Sequence, residues 1–189
     1  MSEQELAREA VGELPEPVSR PVLVVVSGLP GSGKSYFSRK LAEKLPSAIV
    51  ESDILRLALF STPTHSQAES RRVFLVCHLL IRDLLKRGVR VILDATNLEE
   101  GQREQLYHIA ESLGTKLILV WVEAPEEIIK ERLERRHEAP EPQDHSDAGW
   151  EIYKRMRPRA EPIGRNHFVV DTSRDISPVI EKVWRKAQR

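Results

Sequence analysis

A chain of 189 residues, 40% apolar and 31% charged, is long enough for one domain with a sizeable core and too apolar for a disordered segment. Its 29 basic and 29 acidic residues cancel, which removes the pointer that a strongly basic chain gives toward duplex nucleic acid or an anionic membrane. A single cysteine excludes an internal disulfide and a cysteine zinc cluster.

The opening "MSEQELAREA" is charged and has no apolar centre, so no signal peptide is expected. No apolar run is long enough for a bilayer, so a cytoplasmic protein without a membrane partner is expected. Residues 1–20 read as a lead-in, with a short outer helix broken by "PEP". Residues 21–189 read as one domain.

Strands are predicted at Val22–Ser27, Ala48–Glu51, Val89–Asp94, Lys116–Val122 and Phe168–Asp171, where short β-branched runs end in turn residues. Helices are predicted at Lys34–Leu45, Ser66–Arg87, Glu99–Leu113, Pro125–Arg136 and Pro178–Lys186. Gly88 and Gly114 fall where helices stop. This alternation predicts an α/β fold, an open parallel sheet with helices on both faces. Cys77, inside "VFLVCHLLI", reads as a buried and inert thiol. The proline-rich, charged stretch His137–His167 interrupts the alternation and reads as a lid, with one helix near Ala148–Met156.

"GLPGSGKS" follows the first strand and opens the first long helix. It fits G-x-x-x-x-G-K-[ST], a phosphate cradle formed by Gly28, Leu29, Pro30, Gly31, Ser32, Gly33, Lys34 and Ser35. Glycines let backbone N–H groups close on phosphate oxygens, and the helix N-terminus adds further donors. Lys34 would neutralise the outer phosphates, and Ser35 would ligate Mg2+. A dinucleotide fingerprint does not fit, because the glycines are not spaced G-x-G-x-x-G. A guanine-reading "N-K-x-D" is absent, which argues against a GTPase switch.

Parallel strands end on one rim, so Asp53, Asp94 and Asp171 are expected to face the crevice of the cradle. In "SDILR" a helix would place Asp53 and Arg56 on one side. That pair could accept a hydroxyl proton and hold negative charge, or it could be a helix cap and a surface ion pair. Asp94, ending "VRVILD", suits a magnesium site; it or Asn97 could instead cap the next helix. Arg132 and Arg136 share a helix face and could surround a transferred phosphoryl group, with Arg135 as a further candidate. Against this, Glu131 and Glu134 interleave with them, as on a solvated helix.

Together "SGLPGSGKS", "SDILR", "LDATN", "RLERR" and "HSDAGWEIYKRM" resemble the P-loop kinases grouped around bacteriophage polynucleotide kinase, zeta toxins and small bacterial kinases. The resemblance covers about residues 22–187. It implies an adenylate-kinase-like five-stranded sheet of order 2-3-1-4-5 and transfer of the γ-phosphate of ATP to a hydroxyl. It implies Asp53 as general base, Arg56 on an acceptor phosphate, and Lys34 and Ser35 at the ATP phosphates. It further implies Arg132 or Arg136 on the transferred phosphate and Arg103 at the acceptor site. A fused phosphatase or ligase domain, which many polynucleotide kinases carry, is not expected in these 189 residues.

The acceptor is open. A polynucleotide 5′-hydroxyl is one candidate, with "YKRMRPR" supplying charge for a strand. A sugar, nucleoside or antibiotic hydroxyl is another, which neutrality and 5% aromatic content favour. A toxin-like sugar-nucleotide kinase and a non-catalytic ATP-binding module complete the set. Nothing in the residues points to an oligomeric state.

Overall fold

The computed structural model describes residues 2–138 and 148–189, apart from the His137 side chain. Five strands, β1 (Val22–Ser27), β2 (Ala48–Glu51), β3 (Val91–Asp94), β4 (Lys116–Glu123) and β5 (Phe168–Asp171), form one parallel sheet of order β2-β3-β1-β4-β5. This is the expected α/β P-loop kinase architecture. Register aligns Glu51 with Asp94 and Val26 with Asp94, so β2 and β1 finish on either side of Asp94.

The helices are α1 (Glu3–Val11), α2 (Lys34–Lys44), α3 (Ser52–Leu59), α4 (Gln67–Lys86), α5 (Glu100–Ser112), α6 (Glu126–Glu138), α7 (Trp150–Met156) and α8 (Ser177–Gln188). Strand alternation divides the core. Leu23 and Val25 of β1 pack into one layer with Leu80, Ile81 and Leu84 of α4 and Leu106 of α5. Val22, Val24 and Val26 pack into the other with Phe37 and Leu41 of α2 and Val183 of α8. Cys77 lies in the first layer, where burial pushes its thiol up to about 12, the inert state expected.

Two expectations need correction. The lead-in helix does not lie outside the body. α1 packs on α3 and α4, and Ala7 is fully buried in the larger core. Ser2 and Glu5 form a capping box that starts it, with reciprocal backbone hydrogen bonds of 3.3 and 2.6 Å. The second concerns the lid, whose residues 139–147 lie outside the described set. Within the described part, Tyr153 is buried with Ile129 and Leu133 of α6, and Trp150 stacks on it at 4.8 Å. The chain after α7 is fastened to α5: the Glu161 N–H donates to the Leu98 carbonyl at 2.9 Å, and Arg165 bonds Glu111 at 2.8 Å. Residues 159–165 are therefore part of the body.

Candidate active site

The cradle forms where β1 meets α2, and close approach dictates its composition. A Cβ on Gly28 would sit 2.3 Å from the Val122 carbonyl oxygen. Gly33 has φ 95° and packs on Thr172, where a Cβ would meet the hydroxyl at 2.8 Å. Thr172, just past β5, donates its hydroxyl to the Ser32 carbonyl at 2.6 Å. Lys34 Nζ donates to the Leu29 carbonyl at 3.1 Å.

Asp94, at the end of β3, is 5% exposed. Burial raises its pKa, against the lowering influence of Lys34 and of a hydrogen bond from the Ser35 hydroxyl. Its Oδ2 is buried without a partner. A hydroxyl bonded to a carboxylate with an unused oxygen is an oxygen donor set of the kind Mg2+ takes, so these residues fit the ion. Asp53 is close enough to raise the Asp94 pKa further by charge repulsion. Lys34, Ser35, Asp53 and Asp94 thus occupy one electrostatic site, assembled from the ends of β1, β2 and β3.

Arg56 lies one turn beyond Asp53 and is 8% exposed. Its Nη1 is bound by Glu69 of α4, and its Nη2 reaches the Ser70 hydroxyl at 3.4 Å. The Glu69 carboxylate also accepts from the Thr64 N–H at 2.7 Å, the Thr64 hydroxyl at 2.8 Å and the His65 N–H at 3.2 Å. Burial alone would raise the pKa of Glu69. The hydrogen bonds from Thr64, Arg56 and His65 outweigh it and hold the group at about 2. One carboxylate therefore ties together α3, the 60–66 turn and α4.

A pH dependence follows. The Glu69 pKa is depressed from 4.5 to about 2, so its stabilisation is complete above pH 4.5 and is lost as pH falls through 2. The Glu69→Gln variant is expected to melt below the wild type at pH 7, with the gap narrowing between pH 4.5 and 2. Melting temperatures across that range measure it; a gap constant with pH contradicts the assignment.

Other expected site residues fall elsewhere. Arg103, expected at the acceptor site, spends its donors within the fold. It is fully buried, and its Nε, Nη1 and Nη2 donate to Glu100 and to the carbonyls of Asn97, Leu98, Glu161 and Pro162 at 2.7–3.0 Å. Asp171 folds into its own turn, accepting from the Ser173 N–H and hydroxyl, which lower its pKa. Arg132 braces the cradle, donating to the Gly31 carbonyl at 3.3 Å and to the Thr172 hydroxyl and carbonyl at 2.8 and 3.0 Å. Arg136, one turn on, is half-buried. In the basic tract, Lys154 pairs with Glu151, Arg157 with Glu126 and Arg159 with Glu99. Asn97 does not cap α5; the Glu161 carboxylate accepts from the first N–H of that helix, on Glu100, at 2.6 Å. Glu69 and Thr172 carried no signal of their own, since each acts on residues that only the folded chain brings near.

Comparison with known proteins supports the architecture. The L-seryl-tRNA(Sec) kinase of Methanococcus maripaludis is 29% identical over 122 residues, 63% of this chain and 48% of that protein. The KTI12 homolog of Mus musculus is 31% identical over 165 residues, 83% of this chain and 45% of that protein. The chain thus spans about half the length of these curated relatives. The structure of Chaetomium thermophilum Kti12 in complex with ADP-AlF3 superposes with a TM-score of 0.70 at 24% identity, covering 87% of this chain and 98% of that one. These relatives replace the narrower kinship to polynucleotide kinases with a broader P-loop kinase-like group. The AAA-domain family AAA_33 matches residues 23–163, and the chain belongs to that family.

Proposed function

We propose that this protein transfers the γ-phosphate of ATP to an alcohol. The observation that carries the proposal is the convergence of Lys34, Ser35 and Asp53 on Asp94, with the cradle following β1 on one side of β3 and Asp53 following β2 on the other. A nucleotide-binding module needs the cradle; it does not need a carboxylate held next to it.

In this reading, backbone N–H groups of Gly28–Ser35 and the start of α2 hold the β- and γ-phosphates. Ser35 and Asp94 would hold Mg2+, which offsets phosphate charge when bound. Asp53 takes the proton of the acceptor hydroxyl as its oxygen attacks the γ-phosphorus. The bond from that phosphorus to the β,γ-bridging oxygen breaks, and the electron pair leaves on ADP. Lys34 stabilises the charge that develops there. Arg132 and Arg136 of α6 are the arginines that would meet the transferred group. Arg132 would first have to leave Thr172.

The acceptor that fits best is a small uncharged alcohol. Arg56 is neutralised by Glu69, and three cations of the basic tract are each matched by an acid. An ordered strand of phosphates would meet little uncompensated charge there. A second reading, an ATP-binding module, is favoured by the likeness to Kti12, whose solved structure holds ADP-AlF3. Labelled γ-phosphate transfer tests these readings against a panel of sugars, nucleosides, serine derivatives and a 5′-hydroxyl oligonucleotide. Label on a small alcohol is expected. Label on the oligonucleotide alone overturns the acceptor assignment. ATP binding without transfer to any member overturns the kinase reading.

A further inference from the structure

Asn97 is 1% exposed, and neither the oxygen nor the nitrogen of its side-chain amide has a hydrogen-bond partner. Its φ is 43°, in the left-handed region that asparagine and glycine tolerate best. A buried donor and a buried acceptor are thus left unmet in a costly backbone conformation. Such combinations cluster at functional sites, where a ligand or an ordered water completes them.

The sheet order places the turn that carries Asn97. β3 runs between β1, which carries the cradle, and β2, which leads into Asp53. The turn after β3 therefore separates the two sides of the reaction. That turn is rigid. The Thr96 carbonyl accepts from the Gly28 N–H at 3.2 Å on the cradle side. The Asn97 and Leu98 carbonyls accept from buried Arg103 at 2.7 and 2.8 Å on the other. The backbone of Asn97 is thereby anchored while its side chain is unused.

We infer that Asn97 contacts the acceptor hydroxyl, its amide NH2 donating to the attacking oxygen while Asp53 takes the proton. An amide suits this role, being neutral and a hydrogen-bond donor. The inference deepens the kinase reading and rests on it. Without acceptor, a water takes the same place, and slow ATP hydrolysis reports on the same contact.

The Asn97→Gly variant separates the side chain from the backbone, because glycine keeps the left-handed turn and removes only the amide. Expected are a fall of about 10²-fold in ATP turnover by the full chain, ATP affinity within about twofold, and an unchanged or higher melting temperature. Asn97→Asp, which keeps the shape and replaces the donor, should fall similarly. Full turnover in the glycine variant overturns the inference and assigns Asn97 to the turn alone. The kinase reading fails separately, by the absence of transfer to any acceptor, and a wild type that turns over no ATP leaves that reading standing. Binding of ADP with aluminium fluoride then decides the contact: the wild type should bind it more tightly than Asn97→Gly, with ADP alone bound equally. Equal affinities in both cases overturn the inference.

Discussion

The Asp53→Asn variant is expected to lose about 10²–10⁴-fold in phosphoryl transfer while keeping its nucleotide affinity. Asparagine matches aspartate in shape, so the first turn of α3 and the nearby Arg56–Glu69 pair should be undisturbed. What disappears is the lone pair that takes the hydroxyl proton. Electrostatics give the prediction a sign for binding as well. Asp53 repels Asp94 across the site, and it would repel ATP phosphates too. Removing its charge should therefore leave ATP binding unchanged or slightly tighter, as calorimetry with ATP and Mg2+ would measure. Single-turnover transfer to the best acceptor supplies the rate. A variant with full transfer removes Asp53 as base, and one that loses ATP binding instead makes it part of the cradle.

The cradle and the sheet were legible because their signals are local. β1, β2 and β5 begin and end where β-branched runs meet turn residues. The glycine spacing of Gly28–Ser35 states its own geometry. Asp53 and Asp94 follow from one further step, since parallel strands must end on the same rim. Partners that local patterns do not show share a physical cause. Arg56 reads as an acceptor ligand until Glu69, 13 residues on, takes its guanidinium. Arg132 reads as a phosphate ligand until Thr172, 40 residues away, draws it back to the cradle. The basic run before residue 160 looks like a strand-binding surface only while Glu126 and Glu99 are not beside it. Long side chains choose partners through the fold, and local patterns do not contain that choice. The same holds for α1. Its charged sequence looks external, yet one small face around Ala7 suffices to dock it on α3 and α4.

Arg103 shows how far such a choice can go, and its replacement should have the largest effect on stability. The guanidinium is fully buried and joins three separate pieces of chain: the turn after β3, the start of α5 and the returning segment at Glu161–Pro162. Arg103→Met keeps much of the volume and deletes every donor. Four carbonyls then lose a partner in the interior. Unmet buried groups and a broken buried ion contact together place the loss at about 3–5 kcal/mol. For a chain of this size that is a fall of roughly 6–20 °C in melting temperature. Arg103→Lys should recover only part of it, because an ammonium has three donors at one point and cannot span two pairs of carbonyls. Thermal melts of both variants test this, and ATP affinity tests its reach. The cradle keeps its own bonds, Arg132 to the Gly31 carbonyl and Thr172 to the Ser32 carbonyl, so ATP should still bind at temperatures where the variant is folded. Turnover should fall more than affinity, because the turn that Arg103 anchors also holds Asn97 beside the proposed reaction path. A variant of wild-type stability that loses only acceptor affinity would instead return Arg103 to the acceptor site.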